Sequence, residues 1–204
     1  MAGVLIITTL LPGCFMFGVI PLNPDPEYVI SHQPQSVITQ RLPLRLGVYY
    51  SLETRDYRYT TKLNFDLNFD LGPPTIAVIN VVLASLFEEA DEVQQLSPAV
   101  SDLDAIIEIS IENFYYKLSY PQQCRITYRF IVYGTDGTPL ASWVEYGNGN
   151  LSDYIPSWSR SALQHNTESA ILDGAKKFIS NFRSQPRIRQ WLESHDIVVS
   201  AISW

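Results

Sequence analysis

The sequence predicts an α/β (α+β) domain, a mixed, partly antiparallel sheet of about 4–5 strands packed against two main helices in the order β-α-β-β-β-α. Three observations carry this prediction. Apolar residues recur at every second position in segments around Leu44, Ile107, Cys124 and Leu140. Two longer segments, one opening at Gly72-Pro73-Pro74 and one near Ser159, instead repeat their apolar residues at helical spacing. The turn signal Asp136-Gly137 joins two of the alternating segments, which makes that end of the sheet a meander.

The first strand is Leu44-Arg45-Leu46-Gly47-Val48-Tyr49-Tyr50, with Leu44, Leu46, Val48 and Tyr50 on one face. Ser51 to Leu71 is polar and aromatic, alternates again at Leu63, Phe65, Leu67 and Phe69, and reads as a loop or short strand leading into a helix. Gly72-Pro73-Pro74-Thr75 opens that helix, because proline in the first turn lacks a donor that would have no intrahelical partner there. Ile76, Ile79, Leu83, Leu86 and Phe87 make its apolar face. Its β-branched residues lower its intrinsic propensity, so packing must hold it. Glu88, Glu89, Asp91 and Glu92 are expected near its C-terminus, where negative charge opposes the helix dipole, as a solvated acidic turn or a contact surface.

Two strands follow. Ile107, Ile109 and Ile111 alternate with Glu108, Ser110 and Glu112, and Cys124, Ile126, Tyr128, Phe130 and Val132 alternate with Arg125, Thr127, Arg129 and Ile131. Antiparallel pairing would set Glu108 and Glu112 across from Arg125 and Arg129. Asp102 and Asp104 are read as the break before the first of these strands. Asp136-Gly137 leads into the strand Leu140 to Tyr146, and Tyr146 to Asp153 reads as a Gly/Asn-rich loop. The longest helix runs from about Ser159 to Arg183, with Leu163, Thr167, Ala170, Ile171, Ala175, Phe178, Ile179 and Phe182 on one stripe. Pro186 starts a short helix through Trp191 and Leu192, and the apolar tail Ile197 to Trp204 is a last strand or a covered segment.

Upstream of the domain the first 24 residues carry no charged side chain. Val4 to Leu11 has the length of a signal-peptide h-region. A transmembrane helix of roughly 20 residues would have to run through Pro12, Gly13, Gly18 and Pro21. Leu11-Pro12-Gly13-Cys14 resembles a bacterial lipobox, an aliphatic residue three before and a small residue immediately before a cysteine. The resemblance implies that Cys14 carries covalent lipid and becomes the mature N-terminus. It also implies the outer membrane, since Phe15 stands where inner-membrane retention uses aspartate. Proline two before the cysteine departs from the pattern, as does the lack of any Lys or Arg before Arg41. An uncleaved membrane anchor and a buried apolar arm are the competing readings. The chain thus divides into a signal peptide and lipobox (1–14), an extended Pro-rich tether (15–43) and one globular α/β domain (44–204).

Composition narrows the function. With 14 basic and 21 acidic residues the net charge is −7, and no Lys/Arg cluster offers phosphate contacts, so nucleic acid is not an expected partner. The two cysteines are Cys14 and Cys124. If Cys14 is lipidated, Cys124 is a buried free thiol; a disulfide between them is the alternative. His32, His165 and His195 have no carboxylate or cysteine at ligand spacing, so no metal or other cofactor is expected. No nucleophile elbow, phosphate-cradling loop or dinucleotide fingerprint occurs, and the chain reads as a non-enzyme. A hydrolase would need His165 or His195 beside a carboxylate and a nucleophile.

The 12 tyrosines and 4 tryptophans are the stronger lead, because such rings are enriched where proteins meet partners. Tyr49, Tyr57, Tyr59, Tyr115, Tyr116 and Trp158 are the candidate partner-binding residues, read as lying in loops or on outward strand faces. Half-buried strands rich in tyrosine are the competing explanation.

The element order from about 44 to 192, behind the lipobox, resembles periplasmic domains of the TolB N-terminal type. It also resembles penicillin-binding-protein activator lipoproteins and auxiliary lipoproteins of transport systems, and Leu46-Gly47-Val48-Tyr49-Tyr50 with Phe69-Asp70-Leu71-Gly72 resembles uncharacterised proteobacterial lipoproteins. The resemblance implies a periplasm-facing, lipid-anchored protein that binds or scaffolds an envelope protein complex. An auxiliary role in ABC-type lipid or solute transport is the alternative, and would need an apolar cleft between helix and sheet.

Overall fold

A computed structural model describes residues 20–22, 24, 25, 27, 31, 41–62, 66–96, 102–117, 123–149 and 160–197. Its strands are β1 (Ile20–Leu22), β2 (Leu42–Tyr50), β3 (Arg58–Lys62), β4 (Asp66–Asp70), β5 (Phe87–Val93), β6 (Ala105–Lys117), β7 (Gln123–Gly134) and β8 (Pro139–Gly149). Its helices are α1 (Leu52–Arg55), α2 (Gly72–Leu86), α3 (Arg160–Phe182) and α4 (Pro186–Ser194). The main sheet has the order β5-β2-β6-β7-β8, and β1-β4-β3 form a second, three-stranded sheet.

The main sheet is mixed, as expected. β2 pairs parallel with both β5 and β6, and β6-β7-β8 is an antiparallel meander. Leu44, Leu46, Val48, Tyr50, Ile107, Ile109, Tyr128, Phe130 and Val132 form its buried face. Helices α2 and α3 cover that face. Tyr50 donates to Asn80 of α2 at 2.7 Å, and Phe130 meets Phe178 of α3 with ring centroids 4.8 Å apart. Val78, Ile79, Val82, Leu83 and Leu86 of α2 are fully buried. At about 1.5–3 kcal/mol for each buried side chain, this outweighs a propensity deficit of at most ~0.7 kcal/mol per β-branched residue.

Four segments differ from the sequence expectation. The acidic stretch after α2 is an edge strand. Phe87 ends the helix in an extended conformation, buries its ring against Phe182 at 5.2 Å, and starts β5 alongside β2. An edge strand tolerates carboxylates because one flank faces solvent, and charge there discourages edge-to-edge pairing. Arg45 pairs with Glu89 and Arg55 with Glu92, each at 2.6 Å.

Tyr146 to Gly149 is strand rather than loop. Gly147 and Gly149 lie where α3 descends onto β8: a Cβ on Gly147 would stand 2.1 Å from the Ala170 carbonyl oxygen, and one on Gly149 2.1 Å from Asn166 Oδ1. The glycines that read as a turn are there for close approach.

Between Ser51 and Leu71 stand a helical turn and a hairpin. Ser51 caps α1 by accepting from the Thr54 N–H at 3.2 Å, and β3 pairs antiparallel with β4. Leu67 and Phe69 of β4 are completely buried, as their alternation implies.

The segment assigned to a tether contributes to the fold. Ile20–Leu22 pairs parallel with β4, Pro24 is buried, the Asp25 N–H donates to the Glu168 carboxylate at 2.9 Å, and Leu42 already belongs to β2. Cys14, Trp158 and the tail beyond Ile197 lie outside the described residues.

Candidate functional site

The side of the main sheet opposite the core carries the side chains that alternate with the buried ones. In register across β6, β7 and β8, Tyr115 stands beside Arg125 and Arg125 beside Asn148; the next row holds Asn113, Thr127 and Tyr146. Arg125 Nε donates to Asn148 Oδ1 at 3.0 Å, and its guanidinium carbon lies 5.6 Å from the centroid of the Tyr146 ring. Such a cation–π contact at an exposed site is worth about 0.5–1 kcal/mol, enough to orient the ring. Tyr115 and Tyr146 are nonetheless 46% and 50% exposed. They are two of the large apolar side chains the fold leaves to solvent.

Further along the same face the charges are mostly spent internally. Arg129 pairs with Glu112, and Arg45 with Glu89 and, at 3.7 Å, with Asp102. In the register that forms, Glu108 stands across from Ile131, Arg129 from Ser110 and Arg125 from Tyr115, so neither glutamate directly faces an arginine and Glu112 reaches Arg129 on the diagonal. Arg125 turns to Tyr146, and Glu108 accepts from the Tyr133 hydroxyl at 2.8 Å. Burial, with the Glu108 carboxylate adding to it, pushes the Tyr133 phenol up to about 12.

The structure divides the predicted rings. Tyr115 lies on this face, as does Tyr49, half-buried on β2. Tyr116 is a correction: it is 6% exposed, stacks on Phe69 with centroids 5.2 Å apart, and accepts from Asn166 at 3.2 Å. Burial raises its phenol to about 12. Tyr59 packs on Phe114 at 5.1 Å, and half-buried Tyr57 accepts the Leu71 and Gly72 N–H groups through its carbonyl. The Tyr59 contact seats the second sheet on the first, and the Tyr57 carbonyl ties the start of α2 to the turn before β3.

A bulge decides which of the neighbours Tyr115 and Tyr116 faces outward. The β6–β7 register shifts between Ile111 and Asn113, so the inward series Ile107, Ile109, Ile111 continues as Phe114 and Tyr116. Without that extra residue Tyr115 would point into the core. Tyr146 and Tyr133 were absent from the predicted set. Extending strict alternation from buried Trp143 and Glu145 would have placed Tyr146 outward.

Aliphatic and aromatic side chains pack together between the helices and the sheet. A shallow cleft of about 530 Å³ at the β8–α3 seam is lined by polar and apolar surface in similar amounts, with Asn148, Ser169, Leu172, Asp173, Lys176 and Lys177 around it. Asp173 accepts there from the Asn148 N–H at 2.8 Å and from Lys177 at 2.6 Å. His195, at the end of α4, contacts the Trp191 carbonyl at 2.9 Å and Ser194 Oγ at 3.2 Å. Cys124 is free and buried, and burial pushes its thiol up to about 12. Among the described residues no cluster of three or more His, Cys, Asp or Glu is placed to hold a metal, and no helix is long and apolar enough to cross a membrane.

Arrangement and topology together can be set against solved structures. The fold is similar to that of protein XCC0632 from Xanthomonas campestris, of family DUF330. The two superpose with a TM-score of 0.52 over 87% of this chain and 98% of that one, at 11% identity, a likeness of fold alone. PelC from Paraburkholderia phytofirmans, solved as a dodecamer, aligns at a TM-score of 0.36 and 13% identity over 65% of this chain and 92% of that one. No protein family model and no curated protein matches the sequence.

Proposed function

We propose that this chain is a periplasm-facing lipoprotein, lipidated at Cys14 and held at the outer membrane, whose domain is a non-catalytic binding or scaffold component of a cell-envelope assembly. The lipobox supports the anchor. The binding role rests on one observation, the half-exposed rings of Tyr115 and Tyr146 flanking Arg125 on the outward side of the sheet. Rigid aromatic rings on a strand scaffold lose little conformational entropy on contact, which suits them to a protein partner. The kinship with TolB N-terminal-type domains belongs to the same reading.

Two measurements test it in the native host. Cys14→Ser is expected to move the protein from the membrane to the soluble periplasmic fraction; retention in the membrane fraction counts against the lipid anchor. A photo-crosslinker replacing Tyr146 is expected to capture an envelope protein that a crosslinker at exposed Arg187 on α4 does not. Equal capture at both positions removes the support for this face as the contact surface.

A further inference from the structure

Arg125 is a cation without a counter-charge on an acidic protein. The chain carries a net −7, and the other arginines of the outward sheet face are paired, Arg45 with Glu89 and Arg129 with Glu112. The register leaves Arg125 out. Its cross-strand neighbours are Tyr115 on β6 and Asn148 on β8, and the next residues along those strands on the same face are Asn113, Lys117 and Tyr146. None is a carboxylate. Among the described residues neither Arg125 nor Lys117 forms an ion pair, so this end of the face is positive while the molecule is negative.

The guanidinium is also held in place. Its Nε donates to Asn148 Oδ1 at 3.0 Å and its carbon stands 5.6 Å from the Tyr146 ring centroid, which leaves the two terminal nitrogens with no partner among the described residues. An arginine fixed at Nε presents Nη1 and Nη2 as a planar fork, the geometry that takes both oxygens of one carboxylate. The half-exposed rings of Tyr115 and Tyr146 would shield such a pair from water once a partner covers them. An anionic bilayer is engaged by several cations spread over a patch. One fork between two rings, with a single lysine beside it, suits a protein side chain instead.

We infer that Arg125 receives an Asp or Glu side chain of the envelope protein that docks on this face, with Lys117 adding to the attraction and Tyr115 and Tyr146 packing around the pair. This rests on the reading of the face as the contact surface.

A photo-crosslinker in place of exposed Asn113 leaves both rings and Arg125 intact, and the full-length protein carrying it is tested in the native host. The partner peptide joined to it is expected to hold an Asp or Glu close to the joined position. Arg125→Gln is expected to lower the yield about ten-fold, and Arg125→Lys several-fold, since lysine keeps the charge and loses the fork. Arg125→Glu is expected to abolish capture, and lysine in place of the mapped partner carboxylate to restore it. Unchanged yield with Arg125→Gln, or a joined peptide with no carboxylate near the joint, overturns this inference and leaves the face as a contact surface. A phospholipid adduct in place of a peptide overturns it in favour of a headgroup. No adduct at all from the protein that retains Arg125 overturns the contact surface as well.

Discussion

Gly147 on β8 and Gly174 on α3 meet backbone to backbone: a Cβ on Gly174 would lie 3.5 Å from Gly147 Cα, and one on Gly147 3.0 Å from Gly174 N. The helix is thereby seated close to the sheet, with the Tyr128 ring filling the space where a Gly174 side chain would project, 2.5 Å from its nearest atom. The seam joins the third strand of the meander to the longest helix, and the cleft lined by Asn148 and Asp173 lies along it.

Gly147→Ala is therefore expected to destabilise the domain by about 2–4 kcal/mol, because the nearest obstacle is the Ala170 carbonyl at 2.1 Å, which cannot rotate away. Gly134→Ala is the matched control. There a Cβ meets side-chain atoms at 3.2 Å or more, and a change within about 1 kcal/mol is expected. Urea unfolding of the two variants decides the matter, and equal midpoints would show that α3 can lift off β8 at little cost.

Glu145 projects from β8 toward α3, where Asn181 donates to it at 2.8 Å. Burial raises its carboxyl above the ordinary value near 4.5, more than Asn181 and Lys177 lower it. The native state therefore holds that proton to higher pH than the unfolded chain does. Its contribution to stability is greatest below the unfolded value and declines as pH rises through the folded one. Glu145→Gln keeps an acceptor for Asn181 and removes the titration. The variant should lose part of the stability decrease that sets in as the pH rises above the ordinary carboxyl value. An unchanged slope in pH-resolved unfolding would falsify this assignment.

Cys124 should be silent toward thiol reagents in the native state. Its thiol is buried, and a value of about 12 leaves almost no thiolate at neutral pH. Labelling with a chromogenic disulfide is expected to follow global unfolding in denaturant; fast labelling without denaturant would mean that the β7–α3 contact opens locally.

Glu168→Ala should release the N-terminal arm before it harms the domain. The lost charge-assisted bond to Asp25 is worth about 1–3 kcal/mol. Hydrogen exchange is the suitable readout: the amides of Ile20, Leu22 and Asp25 should lose protection while those of β6 and β7 keep theirs. Simultaneous loss in both regions would show that the arm belongs to the global folding unit.

Much of this architecture is legible along the chain. The alternation of Leu44, Leu46, Val48 and Tyr50, the prolines after Gly72, the Asp136-Gly137 turn and the stripe from Leu163 to Phe182 each express a local rule. The corresponding elements are found within a few residues of where those rules put them. The misread segments are those in which a local signal has two causes. Glycines at 147 and 149 mark either a turn or a close backbone contact, and a run of carboxylates marks either a solvated turn or an edge strand.

The sequence by itself determined the main strands and helices, the mixed class of the sheet and the lipobox-like motif, since these depend on spacing and residue chemistry within about 10 to 25 neighbouring positions. Tertiary structure decided which rings face outward, because one bulge after Ile111 inverts the parity of Tyr115 and Tyr116. It also decided that Ile20–Leu22, Pro24 and Asp25 lie on the domain, because the partners of that arm, β4 and Glu168, are remote in sequence. Pairings over such separations leave no periodic trace in the arm itself, and only the folded chain brings their two sides together.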